Sequence, residues 1–106
     1  MSHKDWSSLT LTNNKNNPKK RFELHVDDKI AFIEYILAKE DTIYLTHTEV
    51  PRPLEGNGLG SALVKKTLAF IEEKGYQLVP LCPFVAAYLK RYPDTVKRIL
   101  KKGYSI

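Results

Sequence analysis

The sequence predicts an α+β domain in which an antiparallel three-stranded meander is followed by a helix, a strand and two more helices. Three observations carry this expectation. Between Arg21 and Val50, apolar residues alternate with polar ones or crowd into β-branched runs, and the runs are separated by very short turns. Pro51 and Pro53 close that stretch, and three alternating glycines follow at Gly56, Gly58 and Gly60. From Leu59 onward the apolar positions recur at helical spacing.

The first twenty residues are polar and rich in asparagine (Asn13, Asn14, Asn16, Asn17). They are expected to form an N-terminal arm, 1–20, ahead of a domain spanning 21–106, with Trp6, Leu9 and Leu11 resting on the body or pairing as an edge strand. From Arg21, the apolar Phe22, Leu24 and Val26 alternate with Arg21, Glu23 and His25, the pattern of a half-buried strand. Asp27-Asp28-Lys29 makes a tight turn. The run from Lys29 to Lys39 is apolar on both faces and belongs inside the sheet. Glu40-Asp41 makes the next turn, and Thr42 to Val50 is a third strand dense in β-branched residues. Connections this short fit antiparallel neighbours. After the glycine bend, Leu59, Ala62, Leu63, Phe70 and Ile71 define one face of a helix that Gly75 terminates. Tyr76 to Leu81 is a fourth strand, joined to the third by a crossover expected to be right-handed. Pro83 opens a helix carrying Phe84, Val85, Tyr88 and Leu89. Pro93 opens a last short helix with Val96, Ile99 and Leu100 on one side. The result is a mixed sheet flanked by helices.

A chain of 106 residues, 42% apolar, with six Tyr and four Phe, is a globular chain of one-domain size. It has no run of 18 apolar residues and no charged-then-apolar leader, so neither a membrane span nor a secretory signal is expected. One cysteine, Cys82, suggests a reduced, cytoplasmic compartment. The formal charge of +5 is segregated. Residues 1–20 carry +3, residues 21–89 carry −3, and the stretch from Lys90 onward carries +5. The basic excess therefore sits at the two ends, and basic residues are not interleaved with aromatics, which disfavours nucleic acid as a partner. Three His and one Cys show no metal-ligand spacing, so no metal is expected.

The glycine bend is the first functional signal. Glycines between a strand and a helix let the backbone turn and approach a ligand without a Cβ in the way. The helix beginning there offers unpaired N–H groups and the positive end of its dipole, a setting suited to pyrophosphate. The G-x-G-x-G spacing is not the Rossmann fingerprint, and Ser61-Ala62 stands where a Walker lysine would be needed. Hydride transfer and nucleotide hydrolysis are disfavoured accordingly. A plain strand-to-helix turn is the alternative.

The stretch Thr48-Glu49-Val50-Pro51, then Leu54-Glu55-Gly56-Asn57-Gly58-Leu59-Gly60-Ser61-Ala62-Leu63-Val64, resembles the acetyl-CoA motif of the GNAT superfamily of N-acetyltransferases. Pro80-Leu81-Cys82-Pro83-Phe84-Val85, with Tyr88, resembles a branch of small, minimal GNAT-like proteins marked by Cys-Pro-Phe. The resemblance covers residues 21–95 and implies a GNAT-like core. It further implies that acetyl-CoA is the cosubstrate. The backbone amides of Asn57, Gly58, Leu59, Gly60 and Ser61 would hold its pyrophosphate, and the Glu49–Val50 edge would pair with its pantetheine arm. Two departures stand out. Gly56 occupies a place where the superfamily usually has Gln or Arg, and Glu55 does not restore a positive charge. The paired helices with which ordinary members wall in the acceptor are replaced by the Asp27-Asp28-Lys29 turn, so the acceptor site is open or is completed by a partner subunit in a homodimer.

Four side chains are candidates for catalysis. His47 and Glu49, two apart on one strand, share a face at about 7 Å and could take a proton from an incoming amine. The alternative is a packed histidine beside a solvated strand end. Cys82 closes a strand ahead of Pro83, near a helix start whose dipole and unpaired N–H groups favour a thiolate; a nucleophile there could accept the acetyl group and hand it on. Against this stands the small buried hydrophobe that a lone cysteine often is. Tyr88 lies where the resemblance implies an acid toward the leaving thiolate, or else it pairs with Phe84 one turn away. The leading expectation is an acetyl-CoA-dependent acyltransferase acting on an amine, by direct attack or through Cys82. A non-catalytic CoA- or acyl-CoA-binding module is the alternative, and the acceptor is unspecified.

Overall fold

The computed structural model describes residues 6–16 and 18–101, with only the backbone described at Thr95 and Val96. Five strands form one sheet in the order β1-β2-β3-β4-β5: β1 Thr12–Asn14, β2 Arg21–Val26, β3 Lys29–Ala38, β4 Thr42–Glu49 and β5 Gln77–Pro80. The first four pair antiparallel in succession, while β5 lies parallel to β4. A 3₁₀ turn at Arg52–Leu54 leads to α1, Leu59–Lys74; α2, Pro83–Arg91, and α3, Pro93–Ile99, follow β5. The expected α+β order of a three-stranded meander followed by α-β-α-α is therefore present, with β1 added at the edge.

The meander forms because its two turns accept positive φ. Asp27 at 56°, Glu40 at 62° and Asp41 at 52° adopt the left-handed region that tight hairpin turns demand. Helix α1 stops at Gly75, whose φ of 74° suits a residue without Cβ and whose N–H reaches the carbonyls of Glu72 and Ile71. Pro83 sits in the first turn of α2, where its missing N–H costs nothing.

All three helices cover the same face of the sheet. Phe22 is aligned with Ile33 and Ile33 with Thr48, so these side chains point the same way. On that face Phe22 stacks on Tyr35 at 4.4 Å and meets Phe70 of α1 edge-on at 5.2 Å. Leu63 and Ile71 of α1, Val85 and Leu89 of α2, and Ile99 of α3 complete one buried cluster. The opposite face carries Arg21, Glu23, His25, Phe32, Glu34, His47 and Glu49, and none of the described helices covers it. None of the described helices is long and apolar enough to cross a membrane.

Several local expectations need correction. Glu23 faces the open side, yet only 2% of it is exposed. Arg21 and Asn14 bind one of its carboxylate oxygens and His25 binds the other, so a charged group is buried because it is saturated with partners. Val50, Tyr76 and Leu81 fall just outside the strands that were expected to include them. Phe84 is 43% exposed and not part of the buried face of α2. Tyr88 does not pair with Phe84; its ring lies 4.7 Å from that of Tyr92, the neighbour one turn further on. The expected inward side chain of Val96 lies outside the described residues.

Residues 6–14 pack on the body. Trp6 is buried in the main cluster, with Leu9 and Leu11 partly buried against it, and β1 pairs with β2. The Trp6 indole N–H donates to the Asn57 carbonyl at 2.7 Å.

Candidate functional site

The glycine bend is built as the spacing requires. Gly56 has φ 83° and Gly58 φ 80°, conformations that a side chain would strain. Gly58 caps α1 and its carbonyl accepts the first helical bond, from Ala62, at 3.0 Å. No side chain caps the first turn and no acidic residue stands in it, so its amides face outward toward any anion. Gly60 is glycine for another reason. A Cβ there would lie 2.5 Å from Cζ of Phe84, whose ring rests on that position. The Phe of Cys-Pro-Phe is thus seated on the glycine bend, and the two motifs belong to one site.

Strand β4 supplies the other wall. One extra residue, Thr46, is inserted where the register steps from Glu34↔His47 to Tyr35↔Leu45. Strand β5 accompanies β4 only as far as the Leu45↔Pro80 pair. The Leu45 carbonyl then accepts the N–H groups of both Leu81 and Cys82, and the chain turns away into α2. Beyond that point the edge of β4 on this side has no partner strand among the described residues. The gap between it and the bend is a cavity of about 360 Å³ lined by Thr48, Val50, Gly56, Gly58, Gly60 and Phe84, among others.

Cys82 stands at the point where the strands part. It is the N-cap residue of α2, is only 3% exposed, and its Sγ lies 3.1 Å from Oγ1 of Thr48, a cavity-lining residue. His47 and Glu49 do share a face, with Nε2 and Oε1 3.4 Å apart, but it is the open face, opposite Thr48 and Cys82. The expected candidates therefore divide into two groups on either side of β4. Tyr88 joins neither. It lines a groove between α1 and α2 together with Ser61, Lys65 and Tyr92, which continues toward Arg91 and Phe84. Burial, and secondarily the neighbouring Tyr92, pushes the Tyr88 hydroxyl above its ordinary value, so it holds its proton.

Sequence reasoning missed Thr48, Lys65 and Tyr92. Thr48 was quoted only as part of a motif, although its position one residue from both His47 and Glu49 places it on the opposite face. Lys65 and Tyr92 come together through the packing of α1 on α2, which no linear spacing records. Val50, Gly58, Gly60 and Ser61, expected to hold a cosubstrate, all line the cavity, as does Leu59; Asn57 lies between two of the lining glycines.

The fold has a counterpart in the NMR solution structure of a "GCN5-like putative N-acetyltransferase" from Staphylococcus aureus, with a TM-score of 0.61 over 92% of this chain and 96% of that one, at 23% identity. No curated protein matches the chain. The family model for the GCN5-related N-acetyl-transferases matches residues 21–99, from the first residue of β2 to the last of α3. With that match spanning β2 to β5, the glycine bend and all three helices, the chain belongs to the GCN5-related N-acetyltransferase family.

Proposed function

We propose that the protein transfers an acetyl group from acetyl-CoA to an amine, and that it belongs with the minimal members of its family marked by Cys-Pro-Phe. The observation that carries this reading is the meeting, in one cavity, of the β4 edge that no described strand pairs with and the start of α1, which no side chain caps. The residues fit the cosubstrate. Amides of Gly58, Leu59, Gly60 and Ser61 suit its pyrophosphate, and the β4 edge up to Val50 suits the amide-bearing pantetheine arm. Lys65 and Arg91 in the adjoining groove supply the positive charge that Glu55 withholds from the bend.

The division of candidates on either side of β4 supports two-sided chemistry. An acyl donor lying in the gap would be open to Cys82 and Thr48 from the helix face, and to an amine from the open face, where His47 and Glu49 stand ready to accept its proton. Cys82 supports a covalent route. The Cys82 sulfur would attack the thioester carbonyl and its thiol proton would go to the departing CoA sulfur, releasing CoA as the thiol. The amine would then displace the cysteine as thiolate while losing a proton to the His47–Glu49 pair. The Cys82 sulfur lies 3.1 Å from Oγ1 of the cavity-lining Thr48, which puts it beside the gap that the donor would occupy. Loss of thioester in the presence of a panel of amines tests the enzyme reading. Acetyl-CoA bound but never consumed would leave a non-catalytic binding module.

A further inference from the structure

We propose that Trp6 is a positioning residue for the glycine bend: its indole N–H, bonded to the Asn57 carbonyl, sets the peptide plane that turns the bend's amides toward a phosphate. The inference rests on the phosphate-cradle reading of the bend for its ligand, and on the fold alone for its geometry. Asn57 lies between two glycines, both at positive φ, and glycine places few steric limits on the backbone to either side of it. In a trans peptide the carbonyl and the following N–H point in opposite directions. A bond that draws the Asn57 carbonyl onto Trp6 at 2.7 Å therefore aims the Gly58 N–H away from the core.

Trp6 is itself anchored. It is 8% exposed within the main cluster. The Leu9 N–H donates to its carbonyl, the next residue's carbonyl accepts from Lys66 Nζ of α1 at 3.0 Å, and β1 ties the segment to β2. The arm thus reaches past the sheet edge and holds the bend from the side opposite its ligand face. A segment that contributes no described residue of the cavity wall would set the conformation of the glycine bend that lines it.

The test separates the indole's donor from its bulk. Trp6→Phe keeps an aromatic plug and removes the N–H, and a chain with benzothienylalanine at position 6 keeps the indole shape while replacing N–H by sulfur. Backbone ¹⁵N relaxation in the ligand-free protein is read as order parameters at Asn57–Ser61 against the middle of α1, and acetyl-CoA affinity is titrated in parallel. The inference predicts order parameters in the bend that fall below about 0.6 while α1 stays near about 0.85, and affinity about tenfold weaker, in both variants. Bend order parameters that stay level with those of α1 in the benzothienylalanine chain overturn it, whatever Trp6→Phe does to folding. If the parent protein does not bind acetyl-CoA, the cradle reading fails while the relaxation result still decides the role of Trp6.

Discussion

The role proposed for Cys82 follows from where the backbone leaves it. The Leu45 carbonyl binds two successive N–H groups, Leu81 and Cys82, so the strand cannot continue, and the cysteine becomes the N-cap of α2 just past the split. Its sulfur touches only one polar side chain in the described site, that of Thr48. Cys82→Ser is expected to lower turnover by about a hundredfold or more while acetyl-CoA affinity stays within about twofold. Retained turnover would assign the transfer to direct attack. Glu23 is a residue of the opposite kind, polar, buried and structural. Burial alone would raise its carboxyl, but the bonds from Arg21, Asn14 and His25 outweigh it and hold the group below the usual value of 4.5. A lowered folded-state value stabilises the protein above the ordinary value and is lost as pH falls through the folded one. Glu23→Gln should therefore cost ~2 kcal/mol at neutral pH, with the gap to the parent protein closing in denaturant titrations below pH 4.5. A gap that stays constant down to strongly acidic pH would show that the carboxylate's charge contributes nothing.

At the scale of elements, the glycine bend, α1 and α2 act as one device. Gly60 is where α2 reaches across to α1 through Phe84. Gly60→Ala adds a methyl against the end of a ring that is 43% exposed and free to swing outward. The gain of about 0.5–1 kcal/mol from replacing a helical glycine offsets part of that displacement. The variant should melt within a few degrees of the parent protein yet bind acetyl-CoA several-fold more weakly, because the added methyl and the shifted ring both border the cavity. Unchanged affinity would separate Phe84 from the site. The strands and helices were legible in the sequence because each carries its own period: Phe22, Leu24 and Val26 at two, Leu59, Leu63 and Ile71 at helical spacing. The bend was legible because glycine has few other reasons to alternate there. What the sequence hid was set by tertiary contact. β1 has three residues, all polar, and is a strand only because β2 offers an edge. Thr46 shifts the β4 register by one residue with no compositional mark. Tyr88 chose Tyr92 over Phe84 because Phe84 was already committed to Gly60.

The whole molecule is a thin slab, 42 × 32 × 22 Å, with helices on one face of a single sheet. No described helix covers its other face, where Arg21, Glu23, His25, Phe32, Glu34, His47 and Glu49 lie. Under the proposed reading, Glu49 on that face would meet a cationic amine, while Lys65 and Arg91 beside the bend would meet the phosphates of CoA. Donor and acceptor would approach from opposite faces and meet where β4 and β5 part. The central claim is that acetyl-CoA occupies the split and the bend. Its most direct test is a titration of the protein with acetyl-CoA followed by backbone amide NMR. The account predicts saturable shifts concentrated at Thr46–Val50, Asn57–Ser61 and Cys82–Val85, with the turn at Asp27–Asp28 unmoved. Shifts confined to the basic residues from Lys90 onward, or none at millimolar ligand, would contradict it.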